Sequence, residues 1–202
     1  MEQYLKGLSD CELARQARVG STVAFEELVF RYEKQILNFL RQKVFSREDA
    51  EDLTQSVFVK ACKNINRYNT SRKFATWIFC IARREAASFY RQYRTHNSEV
   101  VVEPKADIRD PAVIMMENDA AGQLWAAARG HLSDSQFTAL WLRYSEEMTT
   151  REIATVMRKS VTHVKVLLHR ARQKLLAKII PVATDATGNV TEWRMNDAVF
   201  TL

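Results

Sequence analysis

Three cysteines and four histidines are the residues best suited to nucleophilic or metal chemistry in this 202-residue chain. Cys11, Cys62 and Cys80 are odd in number and share no metal-ligand spacing, which reads as free thiols in a reducing cytoplasm. His163 and His169 are six positions apart, so on one helix they point in different directions and make a poor ligand pair. Cys80 sits among arginines, but without a resolving partner it reads as an inert small residue rather than a redox sensor. No glycine-rich phosphate loop, nucleophile elbow or carboxylate pair beside a histidine is present. The sequence therefore predicts no enzyme, no cofactor and no metal.

What remains is the chemistry of charge. No Asp or Glu occurs from Ile153 to Thr184, while Arg158, Lys159, Lys165, Arg170, Arg172, Lys174 and Lys178 fall within that span. A run of one sign on an amphipathic pattern is a surface built to meet an anion. The pattern here is two short helices with a break, which predicts a helix-turn-helix against DNA. The net charge of +6 is unevenly spread. Residues 1–95 carry net +6, 96–119 net −4, 120–180 net +6 and 181–202 net −2. Two basic blocks around an acidic strip predict two nucleic-acid contacts and a connector that avoids DNA.

The elements that must position these charges are helical. Hydrophobic residues make up 47% of the chain, with only five Gly and three Pro, and strict apolar alternation is rare, so an all-α fold with a real core is predicted. No run of about 18 apolar residues is present, which predicts no membrane insertion, and the N-terminus lacks the order of a signal peptide. Ser9-x-x-Glu12 forms a capping box for a helix to about Val19. A core helix is expected from Val23 to Val44, with Phe25, Leu28, Val29, Tyr32, Ile36, Phe39 and Leu40 at helical spacing. Ser46 opens the next, with Glu48, Asp49, Glu51 and Asp52 in its first turns and Leu53, Val57, Ala61 and Ile65 as its buried stripe. Asn66 to Ser71 is a polar loop. A helix over 73–95 then places Phe74, Trp77, Ile78, Ile81, Phe89 and Tyr93 on one side, and Thr76, Cys80, Arg83, Ala87, Arg91 and Arg94 on the other. Glu117 to Gly130 and Ser133 onward predict two further helices, Thr149-x-x-Glu152 caps a third, and Ser160 caps the last, 161–179. Val161, Val164, Leu168, Ala171, Leu175 and Ile179 form its buried stripe.

Three motifs in these elements resemble bacterial RNA polymerase sigma factors of the extracytoplasmic-function group of the sigma-70 family. Asp49 to Phe58, DAEDLTQSVF, is similar to the family's polymerase-binding helix. Phe74 to Arg84, FATWIFCIARR, is similar to its minus-ten-reading helix. Glu152-Ile153-Ala154 and His169-Arg170-Ala171-Arg172 with Lys174-Leu175 are similar to its minus-thirty-five-reading helix-turn-helix. The motifs keep the family's order and spacing over about residues 20–180.

The resemblance implies a two-domain all-α protein. A region 2-like domain would span 1–95 and a flexible acidic linker 96–117. A region 4-like helix-turn-helix domain would span 118–180, followed by a tail of unknown role, 181–202. It implies that Asp49, Asp52, Leu53, Gln55 and Phe58 meet the beta-prime clamp helices of core RNA polymerase, with the beta flap a further contact. Asn66, Arg67, Tyr68, Asn69, Lys73, Phe74, Trp77, Arg83, Arg84, Ser88 and Arg91 would meet minus-ten DNA, the loop capturing an unstacked base by hydrogen bonds and stacking. Lys159, Thr162, His163, Lys165, Val166, His169, Arg170, Arg172 and Lys174 would meet minus-thirty-five DNA. Promoter DNA and an anti-sigma factor or other regulator are the remaining implied partners. The chain departs from the family at Arg158, where the turn usually has Gly, at His163, at Val166-Leu167 and at Ser56. Two other readings fit some of the same features: a stand-alone helix-turn-helix regulator, and a sigma-like interaction protein that sequesters a regulator.

Overall fold

Side-chain caps set most of the helix starts. Ser9, Ser133 and Thr149 each accept from the backbone N–H three residues on, while Glu12, Gln136 and Glu152 reach back to the cap, three complete capping boxes. Ser21 and Ser46 cap two more helices, and Ser160 Oγ accepts from the His163 N–H at 3.1 Å. The structure, a computed structural model, describes residues 7–44, 46–96 and 120–179. Eight α-helices are found there, and no strand among the described residues: α1 (Asp10–Arg18), α2 (Thr22–Arg41), α3 (Arg47–Asn64), α4 (Phe74–His96), α5 (Ala120–His131), α6 (Asp134–Tyr144), α7 (Thr150–Met157) and α8 (Val161–Ile179). A 3-10 turn, Ile65–Arg67, follows α3. The all-α prediction holds, and none of these helices is long and apolar enough to cross a membrane. The linker and tail expectations, and the start of the helix expected at Glu117, lie outside the described residues.

Two helix ends differ from the sequence reading. The helix α2 stops at Arg41, not Val44, so Gln42 and Lys43 leave the helix and become free to bond elsewhere. The helix α4 runs on to His96. Between α1 and α2, Gly20 sits at φ +100°, a conformation L side chains rarely adopt.

The first four helices close around Leu28, Ile36, Phe39, Val57, Phe74, Ile78 and Phe79. Phe39 and Phe79 meet edge to face, ring centroids 5.4 Å apart. Arg31 and Tyr32 on α2 both reach Asp10: Arg31 donates at 2.9 Å and the Tyr32 hydroxyl donates to its other oxygen, fastening α1 to the core. The second unit closes around α6, whose residues 136–142 are buried all round. Its Phe137 and Trp141 stack on each other, and Trp125 of α5 meets Phe137 edge to face and Trp141 at a tilt.

Nothing in the residue pattern indicates how the two units would sit. They pack on one another, α7 against α4, and their buried residues form one continuous core.

Candidate nucleic-acid and polymerase interface

Three surfaces arise from this scaffold. On α3, Glu48, Asp52 and Gln55 are exposed at helical spacing with exposed Val59 one turn further on, while Asp49 and Leu53 are half-buried at the edge. Phe58 is a core residue, not part of that outward face: its ring turns inward beside Val57 and Ala61. The polar face thus consists of Asp49, Asp52 and Gln55, with Leu53 behind them. Ser56, where the family favours Glu, and Lys60 instead both donate to Glu85 of α4. Glu85 is the lone acid from Arg72 to Arg94 and is nearly buried. Drawing it inward leaves the outer side of α4 free of negative charge.

The second surface is the loop before α4. The Asn69 side-chain oxygen accepts from the Ser71 N–H at 2.9 Å and its hydroxyl at 2.7 Å, and the Asn69 carbonyl accepts from the Arg72 N–H at 3.0 Å. Asn69 therefore shapes the loop from within its own backbone. The Tyr68 hydroxyl donates to the Arg72 carbonyl, and Cys11 Sγ of α1 lies 3.7 Å from the Thr70 carbonyl oxygen. Asn66, Arg67 and Asn69 point outward. Tyr68 and Phe74 do not: they are 2% and 1% exposed and pack on each other and on half-buried Trp77 at 5.3–5.6 Å between ring centroids. The sequence reading placed both rings where a base would stack on them. Here they form the floor of the loop, because a short polar loop needs an apolar anchor to hold its shape.

The same correction applies along α4. The stripe expected to face solvent is only partly free. Arg84, Ala87 and Arg91 are exposed and Ser88 is half-exposed. Lys73 pairs with Glu152 of α7 at 3.0 Å, and Cys80 Sγ sits 3.8 Å from the Thr155 carbonyl oxygen of α7. Thr76, one turn from each, is buried with its hydroxyl unpartnered. Arg83 is half-buried. Burial raises the Cys80 thiol above its usual range against the pull of Arg84, Arg158, Arg72 and Arg83, so it is the protonated, unreactive form that sits here.

The third surface is α8. Val164, Leu168 and Ala171 are buried against α6 and α7. Val161, expected in that stripe, is partly exposed at the helix start. Thr162, His163, Lys165, Val166, His169, Arg170 and Lys174 are all exposed on the outer side. Val166, 41% exposed, interrupts the polar residues with an apolar tip that suits a methyl group better than a hydrogen-bonding edge. Arg172 is set apart from the others. Its Nε donates to the Tyr144 hydroxyl at 2.9 Å and its guanidinium lies 5.9 Å from that ring, so it braces α8 on α6. Lys159 is half-buried, its N–H bonded to the Ala154 carbonyl.

The turn between α7 and α8 explains what the missing glycine does. Arg158 adopts φ 52°, ψ 46°, the left-handed conformation. Its N–H reaches back to the Thr155 carbonyl and that of Lys159 to Ala154, closing the end of α7. A side chain at that angle costs roughly 1 kcal/mol relative to glycine. Arg158→Gly is therefore expected to stabilise the second unit by about 1 kcal/mol, read as a higher urea midpoint at unchanged slope. An unchanged or lower midpoint would show that the arginine side chain contributes more than its backbone costs. At the other end of α7, burial alone would raise the Glu152 carboxyl. The Thr149 N–H and hydroxyl and the Lys73 ammonium outweigh burial and hold it below its ordinary range.

Two family models match along the chain. Residues 28–96 match the family model for Sigma-70 region 2, and residues 125–175 match that for Sigma-70, region 4. The RNA polymerase sigma-H factor of Pseudomonas aeruginosa is 27% identical over 188 residues, covering 88% of this chain and 97% of that protein. The ECF RNA polymerase sigma factor SigW of Bacillus subtilis is 26% identical over 174 residues, covering 80% and 91%. Among solved structures, CnrH in complex with the cytosolic domain of CnrY superposes with a TM-score of 0.64 at 25% identity over 84% of this chain and 96% of that one. With two region models that together span more than half of the sequence, in the order α2–α4 then α5–α8, this chain belongs to the sigma-70 family of RNA polymerase sigma factors, in its extracytoplasmic-function group.

Proposed function

We propose that this chain joins core RNA polymerase through the outer face of α3 and directs it to promoters with two DNA readers, the loop-and-α4 surface for the minus-ten element and α8 for the minus-thirty-five element. The observation that carries this reading is the pairing of opposite surfaces on adjacent helices of one unit. Asp49, Asp52 and Gln55 are the polar rim of α3, and an acidic rim there has no use against DNA. On the adjacent helix, exposed Arg84 and Arg91 and half-exposed Ser88 offer donors with no carboxylate among them. A basic protein partner accounts for the first surface and a phosphate backbone for the second.

On this reading Asn66, Arg67 and Asn69 supply hydrogen bonds to an unstacked minus-ten base, and Tyr68, Phe74 and Trp77 hold the loop that presents them. Lys73, paired here with Glu152, and half-buried Arg83 add phosphate contacts. On α8, Arg170 offers a planar fork to a guanine edge, with Lys165, His169, His163 and Thr162 beside it and Val166 toward a thymine methyl. Lys159 and Lys174 add phosphate attraction, and Arg172 holds the helix. The chain is a specificity subunit, and the polymerase supplies the chemistry. One solved structure of the same fold is the sigma factor RpoE in complex with the anti-sigma factor NepR from Bartonella quintana, and a regulator of that kind is proposed here too.

The experiment is transcription by core polymerase on fragmented genomic DNA with start sites sequenced. Starts that share two upstream elements only when the chain is added support the reading. A stand-alone repressor would instead bind duplex DNA tightly without polymerase, and a sequestering mimic would tolerate charge reversal at Arg84 and Arg170.

A further inference from the structure

A cleft of about 250 Å³ opens where α1 meets the loop before α4, lined by Arg15, Arg18, Val19 and Asn66. Cys11, Arg15 and Arg18 follow one another at helical spacing, so they share one side of α1. Cys11 turns that side to the loop, its Sγ 3.7 Å from the Thr70 carbonyl oxygen and 3.8 Å from the Tyr68 hydroxyl. Arg15, Arg18, Val19 and Asn66 are all exposed, and no ion pair holds either arginine among the described residues. Arginines in the last turn of a helix suit its dipole, but the end of α1 is closed without them. The Val19 and Ser21 N–H groups reach the Gln16 carbonyl, and the Gly20 N–H reaches that of Ala17. The nearest acids in sequence are engaged elsewhere: Glu12 accepts from the Ser9 N–H, and Asp10 accepts from Arg31 and Tyr32. No Asp or Glu occurs from Leu13 to Phe25 or from Leu53 to Arg84, and these two acid-free stretches meet at the cleft.

Given the base-capturing role proposed above for the loop, on which this inference rests, we propose that Arg15 and Arg18, with Val19 and Asn66, form a subsite for single-stranded DNA. It grips the phosphate next to the captured minus-ten base, on the side away from α4. Asn66 joins the two places, because it lines the cleft and is one of the loop's outward donors. It stands at the start of the loop, while α4 leaves from the loop's end. A strand seated on the loop therefore has the arginines of α4 on one flank and those of α1 on the other. Each guanidinium fork matches two phosphate oxygens at once, with no carboxylate competing for it. Val19, 86% exposed, offers an apolar surface to a sugar or a base face. The cleft is smaller than the roughly 300–1,000 Å³ of a pocket that encloses a small molecule, and its walls are exposed. It suits a strand passing over it better than a ligand sealed within.

Two measurements on the full chain test this. Fluorescence anisotropy with a labelled single-stranded thymidine oligonucleotide reads the subsite without polymerase. The double variant Arg15→Ala, Arg18→Ala should bind roughly threefold to tenfold more weakly than the parent chain. Its salt slope should fall by about 1.4, at about 0.7 for each of two single-strand phosphate contacts. Arg15→Lys with Arg18→Lys should keep the slope, and Lys34→Ala, which removes an exposed cation from the outer side of α2, should change neither quantity. Circular dichroism confirms that each variant is folded. Unchanged affinity and slope in the double alanine variant overturn the subsite. In the second measurement, open complexes are formed with core polymerase on promoter DNA carrying one neutral methylphosphonate at successive positions of the captured strand. The parent chain should lose open-complex lifetime roughly threefold at the linkage beside the captured base, away from α4. The double alanine variant should be short-lived already and indifferent to that linkage. Equal sensitivity of parent and variant overturns the assignment, and so does a defect confined to capture of the polymerase, which would make the two arginines a protein contact. Weakened oligonucleotide binding by the variant, with no open complex from any form of the chain, supports the subsite and counts against the polymerase reading.

Discussion

Phe79→Ala should cost the first unit about 3–5 kcal/mol, the largest single loss among the side chains considered. Phe79 is fully buried on α4 and meets Phe39 of α2 edge to face. Its removal leaves a cavity between two helices fixed on their other sides, α2 by Asp10 and α4 by Glu85, so collapse into the space is hindered. A domain of this size holds roughly 5–15 kcal/mol in all, and the loss would take a large part of it. Urea unfolding followed by circular dichroism reads the change directly. Phe30→Ala is the control: that ring is 76% exposed, and its loss should fall within about 0.5 kcal/mol. A cost below about 1 kcal/mol at Phe79 would mean that α2 and α4 are less tightly fixed than their contacts imply.

Arg170→Ala should weaken minus-thirty-five binding by about 1–3 kcal/mol, and relax preference at one base pair rather than across the site. The side chain is exposed on the outer side of α8, and no ion pair holds it among the described residues. Lys174→Ala provides the contrast. A phosphate contact there predicts a uniform loss across sequences and a salt slope lower by about one. Competition binding of the polymerase complex to a randomised minus-thirty-five library, at two salt concentrations, separates the two patterns. Equal, sequence-blind losses at both positions would demote Arg170 to a phosphate contact.

Helix starts were legible because the cap is local. Ser9-x-x-Glu12, Ser133-x-x-Gln136 and Thr149-x-x-Glu152 each bond within four residues, and each box formed. The outer side of α8 was legible for the same reason, a 100° periodicity read against a single buried stripe. The α4 stripe was harder. Its phase was right with respect to its own unit, but periodicity says only that a face leaves the nearest core, not what it meets next. Lys43 and Asp134 are separated by 91 positions, and nothing in either neighbourhood points to the other. Tyr68 and Phe74 misled for a different reason. An aromatic beside a polar loop suits a base and a loop floor equally well, and burial decided for the floor. The left-handed turn at Arg158 was readable only because the family resemblance marks that position as glycine.

The seclusion of Lys43 has a practical consequence for work on unmodified material. A primary amine held at 6% exposure is out of an ester's reach, so it should acylate much more slowly than the exposed Lys34 or Lys60 of the same unit, even though burial lowers its basicity and favours the free amine. Peptide mass spectrometry after brief treatment with an amine-reactive ester would then read the ratio of Lys43 to Lys34 modification as an internal gauge. A rise in that ratio would report loosening of the contact that holds Lys43 on Asp134 and Thr138 without any introduced probe.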